Sequence, residues 1–324
     1  MVKYSEIIKA NRKIKEYKVP TLLQSSKTFS QMSSNNVYLK PENLQVTGSY
    51  KIGGAINVIM NLTEDQKKKG VITTSAGNWA QAVAYASQIF NVKSVIVMKE
   101  GTSETKISAT KGYGGKVVIY GKNTKDTIEK SMSLAKSENL TYLSCFEDED
   151  LIAGHGCIGL DIIEEKPDTD VIFCPIGGGA FISGVAIAVK HEKPEVKIIG
   201  VEPEGANAMH LSLKKDKLVG IEKANTIADG LAVERPGVRP FKIVRKYVDE
   251  VVVVSDEEIK KAMILLLERA KLLVEPAGAA SLAAIISRQL DFKDKEVIAI
   301  LSGGNIDLDK FTYILKEEID RVKN

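Results

Sequence analysis

The sequence predicts an α/β protein built on mostly parallel sheets that are covered by helices on both faces. Three observations carry that prediction. Short β-branched runs recur from about residue 70, they are apolar almost throughout, and stretches of helical periodicity separate them. Strands that are apolar on both faces must be covered on both faces, which is the parallel arrangement.

The elements follow in order. NVYLK is strand-like and leads through residues 41–55 into the helical IGGAINVIMNL. The strand runs are then GVITT, SVIVM at 94–98, KVVIY at 116–120, TYLSCF at 141–146, DVIFCPIG at 170–177, KIIGVEP at 197–203 and EVIAILSGG at 296–304. NWAQAVAYASQIF and KDTIEKSMSLAKSE have helical periodicity between them. Late in the chain, SDEEIKKAMILLLERAKLLV reads as one long helix that Ser255 or Asp256 can cap, with acidic residues suiting the dipole of its first turn. An amphipathic LDKFTYILKEEIDR closes the fold. No fixed-period repeat and no Gly/Ser linker interrupts this pattern, so any two lobes are joined by short connections.

Composition narrows the function classes. With 324 residues, 44% of them hydrophobic, the chain can bury a substantial core as one large domain or two closely packed ones. Its 45 basic and 42 acidic residues are dispersed, which gives no ground for a nucleic-acid or membrane partner. No apolar run approaches a membrane span, and MVKYSEIIKANRK has no signal-peptide core. Cys145, Cys157 and Cys174 are odd in number and lack metal-type spacing, so buried thiols in a reducing, cytoplasmic setting are expected. His155, His191 and His210 are too scattered for a zinc site and read as structural.

Ligands of open parallel sheets collect at the carboxyl ends of strands, and four segments sit there. In PENLQVTGSYKIGGA, Lys51 lies where strand passes to helix, with Gly48, Gly53 and Gly54 leaving room for a bulky ligand. A desolvated lysine there can become a nucleophilic amine, although most lysines are plain surface charges. In TTSAGNWAQ, Ser75, the amides around Gly77 and the Asn78 side chain offer donors to a carboxylate, unless Ser75 or Asn78 simply caps the helix. In CPIGGGAFISG, consecutive amides before a helix make a phosphate cradle, and three glycines exceed the needs of a tight turn. Neither a Walker loop nor a dinucleotide fingerprint is present. AILSGGN presents the Ser302 hydroxyl but is otherwise only a turn.

Taken in order, KPENLQVTGSYKIGGA, SAGNWAQ, PIGGGAFISG, VEPEGANAM, TIADGLAV, VEPAGAAS and LSGGN resemble the fold-type II pyridoxal-phosphate enzymes. Within them, the pattern is similar to the threonine/serine dehydratase and serine racemase family, and it spans nearly the whole chain. The resemblance implies a tryptophan synthase β-like fold of two lobes: residues 1–50 with 147–324 as the large cofactor-binding lobe, and 51–146 as a small mobile one. It implies that Lys51 forms a Schiff base with pyridoxal 5'-phosphate and acts as the catalytic base. Asn78 would bond the ring hydroxyl, and Gly177, Gly178, Gly179 and Ala180 would hold the phosphate. Ser302 would face the pyridine nitrogen, Tyr50 would lie beside the ring, and Gly230 and Glu275 would line its surroundings. Ser75, Ala76, Gly77 and Asn78 would grip the substrate carboxylate.

The reaction this implies is dehydration of L-threonine or L-serine to a 2-oxo acid and ammonia, by a homodimer or homotetramer resembling the short catabolic dehydratases. Serine racemase, and a non-catalytic amino-acid sensor on the same fold, are the alternatives. Racemases that resemble this chain have a proton-donating serine where Ala76 stands. Other departures are Gly53 for an arginine, Trp79 for a histidine, Ala180 for a glycine, and Pro20–Thr21 for the reverse order. Glu202 matches a cation ligand of metal-binding members, but the matching aspartate is Ala208, so no metal site is expected.

Overall fold

Residues 2–323, which the computed structural model describes, fold around two separate sheets. The chain opens with helix α1 (Tyr4–Ile14), strand β1 (Gln24–Ser25), helix α2 (Lys27–Ser33) and strand β2 (Asn36–Pro41). Helices α3 (Lys51–Asn61) and α4 (Glu64–Lys69) precede strand β3 (Val71–Thr74). Then α5 (Asn78–Ile89), β4 (Ser94–Met98), α6 (Glu104–Gly112), β5 (Lys116–Ile119), α7 (Thr124–Ser137) and β6 (Thr141–Tyr142) alternate. Helix α8 (Glu149–Glu165) leads to β7 (Val171–Pro175), α9 (Ala180–Glu192), β8 (Lys197–Pro203), α10 (Ala208–Lys214) and α11 (Val238–Tyr247). Strand β9 (Glu250–Val254), α12 (Asp256–Leu265), α13 (Pro276–Ile286), β10 (Glu296–Leu301) and α14 (Leu308–Lys323) complete it.

The larger sheet has the order β1-β2-β10-β7-β8-β9 and the smaller β5-β4-β3-β6. Every pairing is parallel except that of β1 with β2. Register is fixed at the centre, where Val297 lies opposite both Val37 and Val171. Loops following β2, β7, β8 and β10 therefore leave one edge of the larger sheet, and those after β3 and β6 one edge of the smaller. Strands β4 and β7 are buried along their whole length, as their unbroken apolar runs require.

Glycines set how closely the covering helices approach. A Cβ on Gly184 of α9 would lie 2.3 Å from the Ile152 carbonyl of α8, and one on Gly154 would lie 2.6 Å from the Gly53 carbonyl of α3. Backbones thus touch across α3, α8 and α9, and that crossing sets the start of α3 beside the start of α9. None of the helices among the described residues is long and apolar enough to cross a membrane. Cys157 and Cys174 are buried, whereas Cys145 is only partly so.

Three elements differ from the sequence reading. TYLSCF forms strand only over Thr141–Tyr142, because the Ser144 hydroxyl accepts the amides of Phe146 and Glu147 and turns the chain. The predicted long helix, capped by Ser255 with Glu258 reciprocating, stops being α-helical at Leu265. A π-turn, Leu266–Ala270, then ends at Lys271 with φ 60, and the chain continues extended. There Leu272 and Val274 point into the core while Leu273 is exposed, a period of two that a helix could not supply. Strand β9, the run EVVVV against β8, escaped the reading altogether.

Candidate active site

The turn after β10, which the sequence reading took for little more than a turn, is the hub of the site. Tyr50 N–H donates to the Ser302 carbonyl at 3.0 Å, Glu275 N–H to the Gly303 carbonyl at 3.0 Å, and Gly304 N–H to the Gly48 carbonyl at 2.9 Å. Ser49 and Gly303 form an isolated antiparallel bridge. Residues 302–304 therefore tie the lysine-bearing loop to the segment that carries Glu275. Any side chain at Gly303 would collide with Glu275 Oε1, 2.5 Å from its Cβ position, and crowd Asn78 Nδ2 at 3.0 Å. The Ser302 hydroxyl is buried, with only a long 3.4 Å bond to the Ala277 carbonyl.

Lys51 is the first residue of α3 and is half-buried. Its Nζ lies 4.8 Å from the centroid of the Tyr50 ring. That ring stacks on Phe181, centroids 3.7 Å apart and planes at 16°, and Phe181 directly follows the glycine loop. The lysine and the loop are thus neighbours through an aromatic pair. Burial raises the Tyr50 hydroxyl's pKa, against the pull of the Lys51 ammonium, so the phenol keeps its proton at neutral pH. His155 packs against the same pair. Complete burial, with Lys51 and Lys18 adding to it, holds its imidazole well below the usual histidine range and neutral.

Each glycine of the loop after β7 answers a contact. The Cβ position of Gly177 lies 3.0 Å from the Gly230 carbonyl, and that of Gly178 2.5 Å from the Phe146 ring. Gly179 has φ 93, the left-handed region, as the N-cap of α9. A Cβ on it would also meet Met209 and Pro240, each at 2.8 Å. Ala180 is buried as the first residue of α9, so its methyl is accommodated. The result is a run of main-chain amides at the head of a 13-residue helix, suited to a phosphate.

The loop after β3 supplies the opposite wall. Neither Ser75 nor Asn78 caps α5; the cap is Gly77, without a side-chain bond. The amides around Gly77 are not all free as expected, since Gly77 N–H donates to the Ser75 hydroxyl at 3.2 Å. Nothing lies within 4 Å of the position a Gly77 Cβ would take, so space opens over this loop. Ala76, half-buried, packs against the cluster of Ala80, Ala84, Ile96 and Met98. Asn78 turns its side chain across the cleft: Nδ2 donates to Glu275 Oε1 at 2.6 Å and Oδ1 accepts from Asn305 Nδ2 at 2.8 Å. Burial pushes Glu275 up to about 7, with the Asn78 amide drawing it partly back. Gly230 is exposed beside Ala277.

The departures from the family pattern find physical answers. Gly53 faces Gly154, Ile14 and the Lys18 stem, whose Cδ is 3.7 Å from the Cβ position. Lys18, its side chain only 8% exposed, pairs with Asp161 at 3.2 Å. Burial opposes its charge, but Asp161 and Glu42 outweigh that and raise its pKa. A cation from another segment thus stands where a side chain at 53 would reach. Gly53→Arg should cost about 1–3 kcal/mol from overpacking and like charge. Adding Lys18→Ala should recover most of that loss in a thermal melt, and simple addition of the two losses would refute the exchange. Trp79 is buried, its indole N–H donating to Thr73 Oγ1 at 2.9 Å beneath the smaller sheet. Pro20–Thr21 adjoins the same charge group, with the Thr21 hydroxyl donating to the buried Glu42 at 2.5 Å. Glu202 accepts the Met209 and His210 amides at 3.0 and 2.7 Å, so both carboxylate oxygens already cap α10. No cluster of metal-binding side chains occurs among the described residues.

Lys51, Tyr50, the glycine loop, Gly230, Glu275 and Ser302 are therefore gathered together, and Asn78 reaches Glu275 from the opposing loop that also carries Ser75–Gly77. Sequence reasoning missed Asn305, Phe146 and Phe181. Asn305 stood within a motif already singled out, and Phe181 within another.

Residues 14–303 match the family described as pyridoxal-phosphate dependent enzyme. The L-threonine ammonia-lyase of Thermotoga maritima is 42% identical over 317 residues, which cover 98% of this chain and 79% of that protein. The catabolic L-threonine dehydratase of Escherichia coli is 38% identical, over 97% of this chain and 96% of its own length. Among solved structures, maize serine racemase superposes with a TM-score of 0.93 at 32% identity, over 100% of this chain and 99% of that one.

Proposed function

The chain belongs to the pyridoxal-phosphate dependent enzymes, and on that premise we propose that it is an L-threonine/L-serine ammonia-lyase, releasing 2-oxobutanoate or pyruvate with ammonia. The single observation that carries the reading is the half-buried Lys51 amine, set beside the amide-lined head of α9 by the Tyr50–Phe181 stack.

The residues fit the cofactor on physical grounds. Consecutive main-chain N–H groups at the head of α9 suit its phosphate, open space over Gly77 suits its bulk, and the lysine suits its aldehyde. When bound, the cofactor supplies that aldehyde and a conjugated ring that takes up electron density. With the cofactor in place, Lys51 would be its covalent anchor and, with its amine free, would take the proton from the substrate α-carbon as general base. Asn78 would donate to the ring hydroxyl from the end that also reaches Glu275. Ser302, a buried neutral hydroxyl, would meet the ring nitrogen without the charge that keeps it protonated, so electron withdrawal would be moderate and loss of the β-hydroxyl favoured. The loop from Ser75 to Asn78 holds the substrate carboxylate.

We take residues 51–146 as the smaller, moving lobe, a division supported by their possession of their own sheet. Ser103 and Lys106 reach Asp307 across the mouth at 2.8 and 3.3 Å, part-exposed polar contacts that cost little to open. Unpaired cysteines support a reducing, cytoplasmic setting, and the homodimer or homotetramer is taken over from the family resemblance.

Serine racemase is the second reading, favoured by the likeness to the maize enzyme. Against it stands Ala76, which has no proton to deliver to the far face of the α-carbon. Incubating the yellow holoprotein with L-threonine and L-serine separates the readings: 2-oxo acid and ammonium should accumulate. D-Serine forming as fast as pyruvate would establish a racemase instead, and inertness towards every hydroxy amino acid would leave the sensor.

A further inference from the structure

We propose that Asn305 is a positioning residue that decides which way round the Asn78 side-chain amide faces, and so whether the cofactor's ring hydroxyl meets a donor or an acceptor. The inference rests on the cofactor reading above and deepens it.

A primary amide has a donor end and an acceptor end of nearly equal size, so its neighbours alone decide its orientation. Asn78 has two such neighbours, Glu275 at its Nδ2 and Asn305 at its Oδ1. Glu275 is an ambiguous guide. An ionised carboxylate only accepts, but burial brings Glu275 to about 7, so near neutrality it carries a proton part of the time and can donate as well. Lys106, Asp229 and Lys310 act on it from α6, from the segment beside Gly230, and from α14.

Asn305 is not ambiguous. Its Nδ2 donates to the Thr47 carbonyl at 2.8 Å while also donating to Asn78 Oδ1 at 2.8 Å. A backbone carbonyl has no proton and accepts under all conditions. Turning Asn305 over would set oxygen against oxygen at both contacts. The neighbouring Gly48 keeps the loop wrapped on this amide: its φ is 69, and a Cβ there would lie 2.6 Å from Asn305 Oδ1.

Polarity therefore runs in one direction, from the Thr47 carbonyl through Asn305 to Asn78. The Asn78 amide is left with its N–H end facing Glu275 and the cleft. Its nitrogen carries two hydrogens and Glu275 takes one, so the other is available to a deprotonated ring hydroxyl. With the amide inverted, an oxygen would face that position and favour the protonated hydroxyl instead.

The test uses the holoprotein without substrate and reads the pH midpoint at which the visible band of the bound cofactor changes. Asn305→Asp replaces a donor by an acceptor, and the midpoint should rise by about one pH unit or more, the worth of one charge-assisted hydrogen bond. Asn305→Ala removes the donor without adding charge and should move it the same way by less. A purely structural role would lower the melting temperature or the cofactor content and leave the midpoint alone. An unchanged midpoint in either variant that retains the band overturns the proposal, and if the aspartate variant does not fold, the alanine variant decides. A colourless wild-type protein would instead overturn the cofactor reading itself, and this proposal with it.

Discussion

Lys51→Ala will abolish release of 2-oxobutanoate from threonine, by on the order of 10³-fold or more, while the melting temperature of the apoprotein changes little. The two halves of this expectation have separate causes. Lys51 heads α3, and alanine is the best helix former, so the helix loses nothing by the exchange. The side chain is half-buried beside the Tyr50 ring and has no hydrogen-bonded carboxylate among the described residues, so the fold does not lean on its charge. What disappears is the amine that anchors the cofactor and accepts the α-proton. Keto-acid release gives the rate, and borohydride reduction followed by peptide mapping gives the anchor: wild type should carry the cofactor on the peptide containing Lys51, the variant nowhere. A variant that keeps more than a tenth of the wild-type rate would remove Lys51 from the mechanism.

Gly179→Val will damage both folding and cofactor retention, and the damage can be apportioned. A side chain in the left-handed region costs about 1–2 kcal/mol, more when β-branched. Its Cβ would also press on Met209 and Pro240, adding about 1–3 kcal/mol of overpacking. To relieve either, the backbone must rotate, and the amides at the head of α9 turn away from the phosphate with it. Dialysed holoprotein should lose its visible absorbance at least tenfold faster than wild type, and denaturant melts should show the stability loss. Retention at the wild-type rate in a destabilised variant would separate the cradle from the cofactor. Gly179→Ala should fall between the two.

What was legible in the sequence was local. Unbroken runs such as SVIVM and DVIFCP became buried parallel strands because a short segment already shows that both of its faces are apolar. The glycine loop was legible because strand, glycines and helix adjoin. The run EVVVV is equally local, but it is five residues long and abuts the Ser255 cap, so no loop separates strand from helix to mark its end. The tertiary pairs are another matter. Asn78 meets Glu275 and Asn305 across 197 and 227 residues, and no periodicity reports on such a meeting. Gly53 looked like a charge removed from the site; only the packing of α3 on α8 shows that Lys18 fills the space. The end of the long helix was also hidden, because LLLERAKLLV satisfies helical periodicity until the core demands alternation at Leu272 and Val274.

Trp79 is the chain's one tryptophan, and its ring is dry beneath the smaller sheet, adjacent in sequence to Asn78. The protein therefore carries a single tryptophan in a known place, excitable apart from its ten tyrosines at long wavelength, with emission that should be blue-shifted. A chromophore lying against Asn78 would be close enough to quench it by resonance energy transfer. One emission trace could then follow both cofactor departure, as recovered intensity, and melting of that sheet, as a red shift, without any label being attached.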